Sequence, residues 1–156
     1  VLHRTVSSNA KSAINTTKNN GGSTGFHIVV DTDGTITQVN NLENRANHVG
    51  KPTGKLNNYN SIGIEVVGQH DGTSGEDAWD PLTSQQVEQT SSAVNLIMRA
   101  YDISPSNVVP HEEASRKTAG EGGVVKEAIN IRPLPPKMPP PINFDINNPT
   151  SGGVFQ

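Results

Sequence analysis

The chain has 156 residues, of which 31% are hydrophobic and 4% aromatic, so we expect one compact domain with a small core. Its formal net charge of −3 provides no basic face for nucleic acid or an anionic membrane surface, and neither is expected as a partner. The lack of cysteine excludes disulfides and thiolate metal ligands, no apolar run is long enough for a membrane span, and residues 1 to 20 lack the apolar core of a signal peptide.

The first third of the chain predicts a strand, a helix and a hairpin. "VLH" is typical of a strand end whose beginning is missing, which suggests a truncated or processed start. Residues 9–18 place small and apolar residues at helical spacing behind a capping Ser8 or Asn9. The segment "FHIVVDTDGTITQV" then predicts a β-hairpin that turns at Asp33 and Gly34.

The remaining elements complete a mixed sheet. "SIGIEVVG" predicts a buried strand, and the segment after Pro81 predicts one long helix that starts with a capping box of Thr83 and Gln86. The apolar face of this helix is predicted to consist of Val87, Val94, Ile97, Met98 and Tyr101. "NVVPH" predicts a brief strand that ends at His111. This order favours the α/β class, with a mixed central β-sheet flanked by helices.

The C-terminal segment has a different composition. Seven of the eleven prolines lie between Pro133 and Pro149, where fixed φ angles and missing amide donors disfavour helix and central strand. We therefore predict a globular domain over residues 1–130 and a Pro-rich extended tail or linker over residues 131–156.

Four residues stand out chemically. His3 and His111 each follow an apolar run, although a lone histidine at such a position is often only a surface or capping residue. Glu65 interrupts the apolar "IGIEVV", where a carboxylate is either exposed by strand alternation or retained for function. Lys117 is either a solvated loop lysine or a cation directed at a developing oxyanion.

The ordered motifs "LHRT", "GFHIVVDTDGTITQV", "NHVG", "NSIGIEVVG" and "VVPHEEASRKTAGEG" together resemble the zinc-dependent N-acetylmuramoyl-L-alanine amidases of the type-2 class. This class includes the amidase-type phage lysozymes and is related to peptidoglycan recognition proteins. The resemblance extends over residues 1 to about 123. It implies a mixed sheet with packed helices and a hydrolase that cuts between N-acetylmuramic acid and the L-alanine of the stem peptide.

The resemblance also implies a role for individual residues. By position, His3 and His111 match the two histidine ligands of Zn²⁺, and Glu65 matches the general base that acts on the attacking water. Lys117 matches the lysine that stabilises the tetrahedral intermediate, and His48 matches a histidine that lines the substrate groove.

Three positions depart from the family pattern. Phe26 replaces a tyrosine that assists the transition state, and Asn47 replaces an aromatic residue of the groove. Ala119 stands where the family has its third zinc ligand. Either a nearby carboxylate, most simply Glu121, has taken over, or the position has been disabled, or the protein binds peptidoglycan without cutting it. An aspartate at position 119 is expected to restore the ligand set.

The resemblance places the protein at the bacterial cell wall, periplasmic or secreted, with peptidoglycan or a muropeptide as its partner. Housekeeping, phage (endolysin) and toxin effector origins stay open. A different hypothesis makes residues 131–156 the working part, as a tether or as the binding site of an immunity protein, with the domain as a structural or adaptor unit.

Overall fold

The computed structural model describes residues 1–19, 25–73 and 75–135. The strands are β1 (Leu2–Arg4), β2 (Ile28–Val30), β3 (Ile36–Gln38) and β4 (Ile64–Val66). The α-helices are α1 (Ala10–Asn19), α2 (Ser84–Tyr101), α3 (His111–Ala114) and α4 (Gly123–Ala128). Two single turns of 3₁₀ helix lie at Glu76–Ala78 and Pro105–Asn107.

The four strands form one mixed sheet in the order β1-β4-β2-β3. β4 lies between β1 and β2 and is parallel to both, whereas β2 and β3 form an antiparallel pair. This arrangement of a mixed sheet with packed helices confirms the predicted fold class.

Each face of the sheet is covered by a helix. Because side chains alternate along a strand, Ile28 and Val30 of β2 pack with α2 in the larger core cluster. Val29, between them, packs with Ala10 and Ala13 of α1 in a smaller cluster. The sheet therefore has an α2 face and an α1 face.

The local signals for the hairpin and the long helix are confirmed. Gly34 has φ +84° at the turn between β2 and β3, a conformation that glycine adopts without steric cost. At the start of α2, the hydroxyl of Thr83 accepts a hydrogen bond from the amide of Gln86, and the side chain of Gln86 accepts one from the amide of Thr83. This reciprocal capping box begins the helix one residue after Thr83.

Two local predictions were wrong, and one helix was not predicted. "NVVPH" forms no strand; only an isolated bridge joins Pro110 to Leu2, and His111 begins the short helix α3. Tyr101, which was predicted on the apolar face of α2, is exposed. Gln86 is buried instead, and its side-chain amide donates a hydrogen bond to the carbonyl of Val67. Helix α4 had no sequence signal of its own and forms where Val125 packs into the core.

The segment after α4 lies along α2. The side chain of Asn95 donates to the carbonyl of Asn130 and accepts from the amide of Arg132, and the hydroxyl of Ser91 accepts from the amide of Asn130. Leu134 packs against the core. The rest of the Pro-rich segment, residues 136–156, lies outside the described residues, and the domain boundary at residue 130 stays a prediction. Within the described ranges, no helix has the length and apolar character needed to cross a bilayer.

Candidate functional site

The strand register brings two of the predicted site residues together. His3 of β1 lies beside Glu65 of β4, which in turn lies beside Val29 of β2. Side chains in register across neighbouring strands point to the same face of a sheet. His3 and Glu65 therefore lie on the α1 face of the sheet. An isolated bridge between Leu2 and Pro110 joins β1 to the residue before α3, and so brings the start of α3 to the same strands.

Three ligand atoms converge at this point. The Nδ1 atoms of His3 and His111 are 2.7 Å apart, and the Nδ1 of His111 is 2.6 Å from Oε1 of Glu121. The same Glu121 oxygen lies 3.9 Å from the Nδ1 of His3. Among the described residues, these three side chains form the one group of histidine and acidic residues whose ligand atoms all lie within 4.8 Å of one another.

The hydrogen bonds of the Nε2 atoms determine which ring nitrogens face the possible metal position. The Nε2 of His111 is 3.2 Å from the carbonyl of Val49, so it must donate its hydrogen there. The Nε2 of His3 lies 3.1 Å from Nδ1 of His48, whose own Nε2 faces the carbonyl of Ser61 at 3.3 Å. The pattern is satisfied when each Nε2 donates. The Nδ1 atoms of His3 and His111 then face the Glu121 carboxylate, and a metal ion bound between them would displace the hydrogen that Nδ1 of His111 shares with Oε1 of Glu121.

The electrostatics favour the protonation states that a metal requires. Burial lowers the pKa of His3 to about 3, and His111 lowers it further, whereas the nearby Glu121 carboxylate acts in the opposite direction. Burial also lowers the pKa of His48 to about 2. For Glu121, burial alone would raise the pKa, but the hydrogen bond with His111 and the interaction with the nearby His3 outweigh it and lower the value to about 2. Neutral imidazole and ionised carboxylate are the ligand forms that bind zinc.

Glu65 is held differently. Burial raises its pKa to about 8, the Glu121 carboxylate adds to the rise, and Lys117 opposes it. Its Oε1 lies 3.9 Å from the Nδ1 of His3, while its buried Oε2 has no hydrogen-bond partner among the described residues. A buried carboxylate oxygen left unpaired is costly, and such groups concentrate at functional sites.

An open cavity of about 360 Å³ lies over these groups. Its lining includes seven of the eight predicted site residues, and the eighth, His3, is buried next to them with 1% of its surface exposed. The seven are Phe26, Asn47, His48, Glu65, His111, Lys117 and Glu121. Their positions differ: Lys117 is exposed at the rim, Phe26 also belongs to the small core cluster, and Asn47 accepts a hydrogen bond from Asn58.

Position 119 does not belong to this group. Ala119 is exposed, and its carbonyl accepts a hydrogen bond from the indole N–H of Trp79 at 3.2 Å. Glu121, two residues later, lines the cavity instead. We therefore expect an aspartate at position 119 to stay outside the ligand cluster, contrary to the expectation from the family pattern.

Sequence reasoning missed one residue in this region. The residue is Glu112, whose carboxylate accepts three backbone hydrogen bonds, whereas the neighbouring Glu113 and Arg116 are exposed. No sequence signal separates Glu112 from Glu113, because the difference arises from tertiary contacts.

The donor set fits zinc chemically. Two imidazole nitrogens with one carboxylate oxygen is a known ligand set of catalytic zinc, which keeps a further position for water. The two Nδ1 atoms are 2.7 Å apart. Two nitrogens bound to one tetrahedral zinc at about 2.0 Å lie about 3.3 Å apart, so the rings would have to separate by about 0.6 Å.

Comparison with known families identifies the fold. The family model described as N-acetylmuramoyl-L-alanine amidase matches residues 1–122. The chain belongs to this amidase family. The matched range includes all eight predicted site residues and ends directly after Glu121, so α4 and the segment beyond it are additional to the family match.

Two solved structures of amidase-related proteins share the fold. AmpDh3 from Pseudomonas aeruginosa is 24% identical, with a TM-score of 0.61; the alignment covers 74% of this chain and 51% of that one. The chain thus spans about half the length of AmpDh3. A selenomethionine derivative of AmpD is 20% identical, with a TM-score of 0.61 and 83% coverage of both chains. No curated protein matches the sequence.

Proposed function

We propose that this amidase-family chain hydrolyses the amide bond between N-acetylmuramic acid and the L-alanine of the peptidoglycan stem peptide, with Zn²⁺ as its cofactor. One observation carries the proposal: three ligand atoms converge beside a buried carboxylate that has an unpaired oxygen. The family match to residues 1–122 supplies the reaction class. The site of action is the bacterial cell wall, in the periplasm or outside the cell.

His3, His111 and Glu121 would hold the ion, and their remote hydrogen bonds orient them for this task. A bound zinc ion lowers the pKa of a coordinated water and polarises the substrate carbonyl. The Nε2 hydrogen bonds of the histidines direct both Nδ1 atoms toward the ligand cluster, and the ionised Glu121 would offset part of the cation charge.

Glu65 acts as the general base. Its unpaired Oε2 accepts a proton from the attacking water as the water oxygen bonds to the amide carbon. The C–N bond then breaks, and the proton passes from Glu65 to the departing nitrogen of L-alanine. The products are the carboxylic acid of the lactyl group and a stem peptide with a free amine.

The remaining predicted residues act on the substrate. Lys117 at the rim stabilises the oxyanion that forms on the amide oxygen. Phe26, Asn47 and His48 line the cavity where the sugar and the first residues of the peptide bind. Because Phe26 has no hydroxyl group, more of the oxyanion stabilisation falls to Lys117.

The test is release of stem peptide from purified muropeptides, followed by chromatography and mass spectrometry. Glu65→Gln is expected to bind zinc as the parent does and to lower turnover by about a hundredfold or more, since a positioned general base contributes that much. The matched control is Glu113→Gln, which changes an exposed glutamate of α3 and should leave both quantities unchanged.

Two outcomes contradict the proposal. Unchanged hydrolysis by Glu65→Gln would remove Glu65 from the mechanism. A parent protein that binds muropeptide but never cleaves it, even with zinc added, would instead be a peptidoglycan-binding module of the same fold.

A further inference from the structure

The carboxylate of Glu112 binds the backbone of the loop that carries Glu121. One oxygen accepts hydrogen bonds from the amides of Gly120, at 3.1 Å, and Gly123, at 2.8 Å; the other accepts from Gly122 at 2.8 Å. Amide donors on both sides of Glu121 thus bind one side chain. Glu112 directly follows His111, so adjacent residues of α3 contact the ligand cluster and the loop.

The glycines of this loop leave space for that contact. A Cβ on Gly122 would overlap the carbonyl oxygen of Leu2, and one on Gly123 would lie 2.8 Å from Oε1 of Glu112. Gly120 has φ +80°, in the left-handed region that favours glycine. The glycines of the "GEGG" sequence therefore allow the loop backbone to lie close to Glu112 and to β1.

The other side of the loop is also held. The indole N–H of Trp79 donates to the carbonyl of Ala119, and the amide of Glu121 donates to the carbonyl of Thr118 in a tight turn. With the carbonyl of residue 119 bound by Trp79 and the following amides bound by Glu112, Glu121 is the loop residue whose side chain reaches His111.

We propose that Glu112 is a positioning residue that fixes the loop of residues 118–123 so that Glu121, rather than residue 119, serves as the third metal ligand. The inference rests on the proposed zinc site. Glu112 does not touch the ion or the substrate; it acts through three backbone amides. An outer partner that orients a ligand typically changes metal affinity by roughly tenfold to a hundredfold.

The experiment compares the parent with Glu112→Ala, Glu112→Gln and the control Glu113→Ala. Zinc affinity is measured by competition with a chromophoric chelator, and the absorption spectrum of the Co²⁺ form reports the ligand geometry. Amide hydrogen exchange of residues 120–123 is measured with metal removed, so it does not depend on the zinc site. Thermal unfolding of every variant shows whether it is folded.

Glu112→Ala is expected to weaken zinc binding by roughly tenfold to a hundredfold and to accelerate amide exchange in the loop. Glu112→Gln keeps one acceptor oxygen and should fall between Ala and the parent, while Glu113→Ala should match the parent. A folded Glu112→Ala protein with parental zinc affinity and an unchanged Co²⁺ spectrum would overturn the inference, whatever its exchange rates. Failure of the parent to bind zinc would instead overturn the proposed function, and this inference with it.

Discussion

The stability of the metal-free protein should depend on pH through Glu65. Burial in the folded state raises the pKa of this carboxyl from 4.5 to about 8. The folded protein therefore holds the proton more tightly than the unfolded chain. The contribution of Glu65 to stability is fully present below pH 4.5 and is lost as the pH rises through 8.

The size of the effect follows from the same values. A tenfold change in proton affinity corresponds to about 1.4 kcal/mol, so the rise from 4.5 to about 8 sets a limit of about 5 kcal/mol. The Glu65 side chain is 17% exposed, and water near it reduces the cost of its charge. We expect the ionisation of Glu65 to lower the free energy of unfolding by about 2 to 3 kcal/mol between pH 5 and pH 8.

Denaturant unfolding of the parent and Glu65→Gln, in the presence of a chelator from pH 5 to pH 8, measures this quantity. The buried His3 and His48 have lowered pKa values and change stability in the opposite direction below pH 6.5, but both proteins share them, so they cancel in the difference. Glu65→Gln should gain stability relative to the parent as the pH rises. Glu113→Gln, at an exposed glutamate, is the matched control substitution. A Glu65→Gln difference that does not vary with pH would refute the buried, proton-retaining carboxyl.

Three further predictions concern the ligand set and the tail. Glu121→Ala should weaken zinc binding by more than the roughly tenfold to hundredfold typical of a residue that only orients a ligand. Ala119→Asp should not tighten zinc binding, and tighter binding by this variant in a chelator competition would show that position 119 can supply a ligand. Gly63→Ala would place a Cβ 2.5 Å from the ring of His48 and should weaken zinc binding roughly tenfold by disturbing the hydrogen bond to His3; the control Gly54→Ala, made in open space, should bind as the parent does. Removal of residues 136–156 should leave hydrolysis of soluble muropeptides unchanged, because the predicted site lies within residues 1–122. A loss of turnover would contradict this placement of the site, whereas a loss of partner binding alone is the result expected if the tail is the working part.

Local rules predicted the elements that are stabilised locally. The turn at Gly34 and the capping box at Thr83 depend on residues within a few positions of each other, so the sequence displays them. Helix α4 and the exposure of Tyr101 depend on which surfaces pack together in three dimensions. The sequence of a short segment such as "GVVKEA" does not indicate which part of the core it will pack against.

The candidate site shows the same division. The resemblance marked His3, Glu65 and His111 by position, and the strand register explains why these distant residues meet. The separate environments of Glu112 and Glu113 could not be predicted, because the two are identical side chains one position apart on a short helix. Rotation along that helix directs one to the loop amides and the other toward Lys126.

The attachment of residues 130–132 to α2 determines how the domain could be anchored. Ser91 and Asn95 bind this segment on the α2 side of the sheet, whereas the cavity opens on the α1 side. An affinity tag, a fluorophore or a solid support joined after residue 135 would therefore be introduced on the side of the sheet opposite the cavity. Protein immobilised in this way should present its cavity outward to insoluble wall fragments, with an orientation set by two polar side chains of one helix.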